Sequence, residues 1–90
     1  MNLPFELNQV CRVVVYKRDE MTTDLICCDV EIDTGDVPKT WTSNEEASDW
    51  DDWMTSLTQL PGFDHDWFAK VSQPVFASSE TIVFQRRPVA

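Results

Sequence analysis

Residues Leu25–Asp33, LICCDVEID, alternate between apolar and acidic side chains more cleanly than any other stretch of the chain. Successive side chains of an extended strand point to opposite faces. Ile26, Cys28, Val30 and Ile32 would therefore share one face, and Asp29, Glu31 and Asp33 the other. A strand with one apolar and one charged face belongs to a sheet that is covered on one side only. The preceding run, Val10–Arg18, is rich in β-branched residues and reads as a second strand. Here Val13 and Val15 share one face, while Arg12, Val14, Tyr16 and Arg18 share the other. Apolar groups on both faces predict a central or covered strand. Asp19–Asp24 (DEMTTD) is polar and fits the hairpin connection between the two.

The segment Asp33–Pro38 (DTGDVP) carries turn chemistry, with Gly35 available for a positive φ. A short third strand around Lys39–Trp41 has only weak support. Ser43 and Glu46 have the spacing of a capping box, and Glu45, Glu46 and Asp49 would lie near the positive end of a helix dipole. A helix is predicted from about Asn44 to Gln59, stopped by Pro61 and Gly62. At about 100° per residue, Ala47, Trp50, Trp53, Met54, Leu57 and Leu60 form one apolar stripe roughly 140° wide. Glu45, Asp49, Asp51 and Asp52 fall on the opposite side. Trp50 lies within the stripe and reads as core. Trp53 lies at its edge and is the candidate aromatic anchor for a partner.

A second, shorter helix is expected to start at Asp64 as N-cap and end near Val71, with Phe63 and Phe68 spaced as a hydrophobic staple. A loop then leads to a closing strand, Thr81–Arg87. The order β-β-(β)-α-α-β predicts a single small α+β domain: a largely antiparallel sheet of three or four strands with two helices on one face. Strand order is not legible.

Charge placement narrows function further. Net charge is −9, but residues 19 to 69 hold fourteen acids and one base, Lys39, while the two ends are net positive. From Thr40 to Ala69 there are seven acids and no base. Such a surface repels nucleic acid and anionic membrane and attracts basic partners. No apolar run is long enough to span a bilayer, and the N-terminus lacks the basic and apolar regions of a secretory signal. With three cysteines, two of them adjacent, free thiols in a reducing cytoplasm are the simplest expectation.

Catalytic groups are scarce. The one histidine, His65, stands between Asp64 and Asp66, but neighbouring side chains on a helix splay apart and do not converge on a metal. No motif supports a Cys–His nucleophile, and two glycines could hardly build a phosphate-binding loop. No cofactor and no metal are expected, and direct nucleic-acid binding is disfavoured. Arg12, Arg18, Arg86 and Arg87 fall on predicted strands, where they can pair with outward acids across the sheet.

In size, acidity and lack of catalytic groups the chain resembles two classes of cytoplasmic inhibitor. One is the bacterial immunity proteins that neutralise toxins, many of them nucleases; the other is the phage-encoded inhibitors of host defence, some of which imitate the charge of DNA. Both resemblances imply a non-catalytic acidic protein that occludes a basic, nucleic-acid-handling partner. The candidate partner-binding residues are Asp29, Glu31, Asp33, Asp36, Glu45, Asp49, Asp51 and Asp52, with Asp64 and Asp66 at the margin and Trp53 as anchor. The competing expectation is a small accessory subunit that binds through an apolar patch.

Overall fold

The computed structural model describes residues 3–19, 24–71 and 79–86. Its elements are a 3-10 turn at Leu7–Gln9, strands β1 (Val10–Asp19), β2 (Asp24–Ile32) and β3 (Lys39–Asn44), helices α1 (Trp50–Leu57) and α2 (Trp67–Val71), and strand β4 (Ser79–Gln85). The strands form one antiparallel sheet in the order β3-β2-β1-β4. The α+β class is borne out, and β1 is central, as the apolar groups on both its faces require.

Pairing of Val14 with Asp29 and of Val15 with Cys28 aligns the faces of the hairpin as the alternation demands. Val13, Val15, Ile26, Cys28, Val30 and Ile32 line one side of the sheet. With Trp53, Met54, Leu57, Leu60, Phe63 and Val71 they form the core. Both helices cover that side alone. Arg12, Val14, Tyr16, Asp29 and Glu31 lie on the other side, which no helix covers among the described residues.

Three local expectations are corrected. Ser43 does not cap a helix. It pairs with Cys28 in the sheet as part of the six-residue strand β3, and its hydroxyl donates to Asp49 Oδ1 at 3.3 Å. Ladder bonds to β2 outcompete a local cap, and α1 begins only at Trp50. Asn44 opens the intervening turn instead, its side chain accepting the Glu46 amide at 2.9 Å. Next, Phe63 and Phe68 form no staple, since Phe63 is buried and Phe68 is 57 % exposed. The segment is anchored by the Asp64 amide, which donates to the Val83 carbonyl of β4 at 2.7 Å. The hairpin connection at 20–23, the loop at 72–78 and Arg87 lie outside the described residues.

The third correction concerns the tryptophans of α1: Trp53, not Trp50, is the more deeply buried. Trp53 is 3 % exposed and meets the ring of Phe5 edge-on, with centroids 5.3 Å apart. Trp50 is half-buried at the rim, edge-on to Trp67 of α2 at 6.4 Å. The cause is the N-terminal segment: Phe5 joins the core, and Leu3 and Leu7 pack against it. Closing over Trp53, this segment buries the ring at the edge of the stripe, while Trp50 packs against the core from the first turn of α1. Trp53 is therefore a core residue and offers no anchor to a partner. Its Nε1 has no hydrogen-bond partner among the described residues.

Truncating Trp53 to Ala is expected to cost about 3–5 kcal/mol in urea denaturation. Trp50→Ala should cost less, because that ring already meets solvent. Trp53→Phe should be milder than Trp53→Ala, since it retains much of the apolar contact and removes a buried donor that lacks a partner.

Candidate functional site

The side of the sheet left bare by the helices holds a shallow groove of about 300 Å³, lined by Arg12, Val14, Tyr16, Asp29, Glu31, Thr40 and Glu80. Asp29 is its hub. Tyr16 donates its hydroxyl to Asp29 Oδ1 at 3.1 Å from β1, and Thr42 donates to the same oxygen at 2.8 Å from β3. One carboxylate on β2 thus ties three strands together on the exposed side. Charge-assisted bonds of this kind are stronger than neutral ones, and their donors hold the Asp29 side chain in one orientation.

Tyr16 feels this environment. Burial pushes its phenol up to about 12, and the neighbouring Asp29 carboxylate adds to the effect by disfavouring a second negative charge. Glu31 stands opposite Arg12 in the strand register without closing an ion pair. Ile82, 47 % exposed, lies opposite Val14 on the same side.

The remaining candidate acids are placed elsewhere. Asp33 and Asp36 lie exposed in the β2–β3 connection, where Asp33 Oδ1 accepts the Gly35 amide at 2.8 Å and Gly35 takes a φ of 83°. Glu45 follows β3, its Oε1 accepting the Ile26 amide at 3.1 Å. Asp49 precedes α1 and takes the Ser43 hydroxyl, while Asp51 and Asp52 occupy the exposed first turn of α1, where the helix dipole favours acids. Asp64 accepts the Asp66 amide and pairs with Lys70, which holds its carboxyl below the usual range, the Lys70 bond contributing most.

Two layers therefore divide the acidic residues. Asp29 and Glu31 project from the bare side of the sheet, whereas Asp51 and Asp52 project from a helix packed on its opposite side. They do not form one continuous face. The margin along β3 lies between the two groups, with Asp33 and Asp36 at one end and Glu45 and Asp49 at the other. Among the described residues, none of these eight carboxylates lies within ion-pair distance of a base.

Sequence reading did not single out Tyr16, Thr42 or Glu80. The signal that could have found Tyr16 was the hairpin register. Pairing Asp19 with Asp24 across the connection sets Val14 opposite Asp29, and that brings Tyr16 within reach of the same carboxylate.

None of the three cysteines is in a disulfide, and Cys27 and Cys28 are buried. Burial pushes the Cys28 thiol up to about 12, and Cys11 is also raised, by burial first and then by Asp33 and Glu31. These shifts favour the thiol over the nucleophilic thiolate. Among the described residues no three His, Cys, Asp or Glu side chains converge as metal ligands, and no helix is long and apolar enough to cross a membrane.

Tyr16 is the only tyrosine, so its titration can be followed directly by phenolate absorbance. The midpoint should fall near 12, and Asp29→Asn should lower it only in part, because burial is the larger cause. A raised folded-state value favours the neutral phenol. Its contribution to stability is full below the unfolded value of about 10 and is lost as pH rises from there through the folded value. A midpoint at the ordinary value would remove the Tyr16–Asp29 contact from the groove.

No protein-family model, curated protein or solved structure matches this chain.

Proposed function

We propose that this chain is a non-catalytic binding protein that occupies a basic, nucleic-acid-handling surface of a partner protein. The observation that carries the reading is the set of nine carboxylates from Asp29 to Asp52, Glu46 included, that have no base within ion-pair distance among the described residues. Close acids with no base in contact raise the energy of the compact state by mutual repulsion. A cationic surface brought against them removes that repulsion, and long-range attraction accelerates the encounter. By covering a surface that would otherwise hold nucleic acid, such a protein inhibits without chemistry of its own. Toxin neutralisation and inhibition of a host defence complex both fit this mode of action.

The reading is tested by capture from host lysate on the immobilised protein, with the captured proteins identified and their nucleic-acid binding measured. The expected partner is basic, elutes as salt is raised, and is displaced by added DNA or RNA. Replacing Asp51 and Asp52 together by Lys should weaken binding on the order of tenfold and flatten its salt dependence, with thermal stability little changed. Capture indifferent both to salt and to the double substitution would contradict the reading. It would favour an accessory subunit docking through exposed apolar side chains such as Phe68 and Ile82.

A further inference from the structure

The sheet has two edges, and they are finished differently. At β4 the register shifts between its pairings with Val13 and Val14, the irregularity of a bulge, and the Val83 carbonyl is taken by the Asp64 amide at 2.7 Å. Bulges and covering loops are the devices by which proteins protect a sheet edge. Among the described residues β3 has neither device: its pairing with β2 is regular from Lys39 to Asn44, and residues 39–42 are all exposed.

The hydrogen-bonding parity of β3 follows from a single contact. The Glu45 amide donates to the Ile26 carbonyl at 2.9 Å on the same ladder, so Lys39, Trp41 and Ser43 direct their backbone groups toward β2. Thr40 and Thr42 then direct both their N–H and C=O groups away from the sheet, and Asn44 directs its N–H the same way. Beside this row lie two exposed apolar groups, Val37 at 69 % and Trp41 at 37 %. Asp33, Asp36, Glu45 and Glu46 flank its ends, and Asp29 and Glu31 lie one strand inward. Lys39 is the only base in this stretch of chain.

We propose that β3 is a docking edge at which an extended, cationic segment of a partner protein adds as a fifth strand. The backbone groups of Thr40 and Thr42 supply its main-chain bonds. Side chains of an added strand alternate between faces, so basic residues on one face approach the acids of β2 while apolar ones on the other meet Trp41. Charge decides between occupants: a second copy of this chain would bring two acidic margins together, whereas a basic segment neutralises one. The inference rests on the cationic-partner reading and adds the place and geometry of contact.

The test uses amide NMR of the nitrogen-labelled protein at low ionic strength, titrated with a short capped peptide in which arginine alternates with threonine and valine. A control peptide has the same sequence with its arginine backbone amides N-methylated, so the groups that face Thr40 and Thr42 cannot donate along the strand. The alternating peptide should shift the Thr40, Thr42 and Asn44 amides and bind at least about tenfold more tightly than the control. Thr42→Pro should abolish that preference while leaving core signals in place, because the Thr42 amide points away from β2. Equal binding of the two peptides would overturn strand addition and leave the cationic-partner reading standing. Binding of neither peptide would overturn both. Concentration-dependent shifts of the same amides without peptide would assign the edge to a second copy instead.

Discussion

One constraint organises this molecule: Asp29 and Glu31 keep one face of β2 from being closed over, although Leu25 and Cys27 on that same face are buried. Ile26, Cys28, Val30 and Ile32 need cover, whereas Asp29 and Glu31 cannot be packed under a helix without losing the hydration their charges require. Both helices must therefore lie on the same side as Val13 and Val15. β1 fills the centre because its alternate residues Val13 and Val15 complete the buried layer, while Val14 and Tyr16 tolerate the bare one. Everything on the exposed side, from the Tyr16–Asp29–Thr42 network to the groove beside Arg12, exists because no helix can close over those acids.

The same constraint determines what the acidic residues can do together. A helix on one side and bare strands on the other separate Asp51 and Asp52 from Asp29 and Glu31. A partner that needs all of them would have to wrap around the β3 margin. That margin is thin, regular and unprotected, and the β2–β3 and β3–α1 connections add further carboxylates at its two ends. The opposite edge, with its bulge and the Asp64 contact, is unsuited to the same purpose. An acidic chain with one finished edge and one open edge has a direction from which a cationic partner can approach.

Much of this was legible from residues alone, because period-two and helical patterns report which side of an element is buried. The two long strands, the closing strand, the Gly35 turn, the existence of both helices and the one-sided packing all followed from such patterns. What failed shares one physical cause, competition from distant parts of the chain. Ser43 and Glu46 have the spacing of a capping box, yet Ser43 sits opposite Cys28, and ladder bonds prevailed over the local cap. Trp53 lies at the edge of the apolar stripe, yet Phe5, which no local pattern connects to α1, closes over it and makes it core. Strand order, and with it the division of the acids between two sides, depends on tertiary pairing that one sequence does not encode in any local signal.

A cationic partner is favoured only if the carboxylates from Asp29 to Asp52 repel one another in the isolated protein, so that neutralising them is favourable. Urea denaturation across a range of sodium chloride concentrations tests this most directly. The screening length falls from about 30 Å at 0.01 M to about 8 Å at 0.15 M. The longer value exceeds the shortest dimension of the molecule, 23 Å, and the shorter lies well below it. If the repulsion is real, stability rises over that interval, and it rises less in a variant with Asp51 and Asp52 replaced by Asn. Stability that is flat or falls with salt would mean that the carboxylates are already compensated within the chain, and the account of an acidic margin awaiting a cationic partner would be wrong.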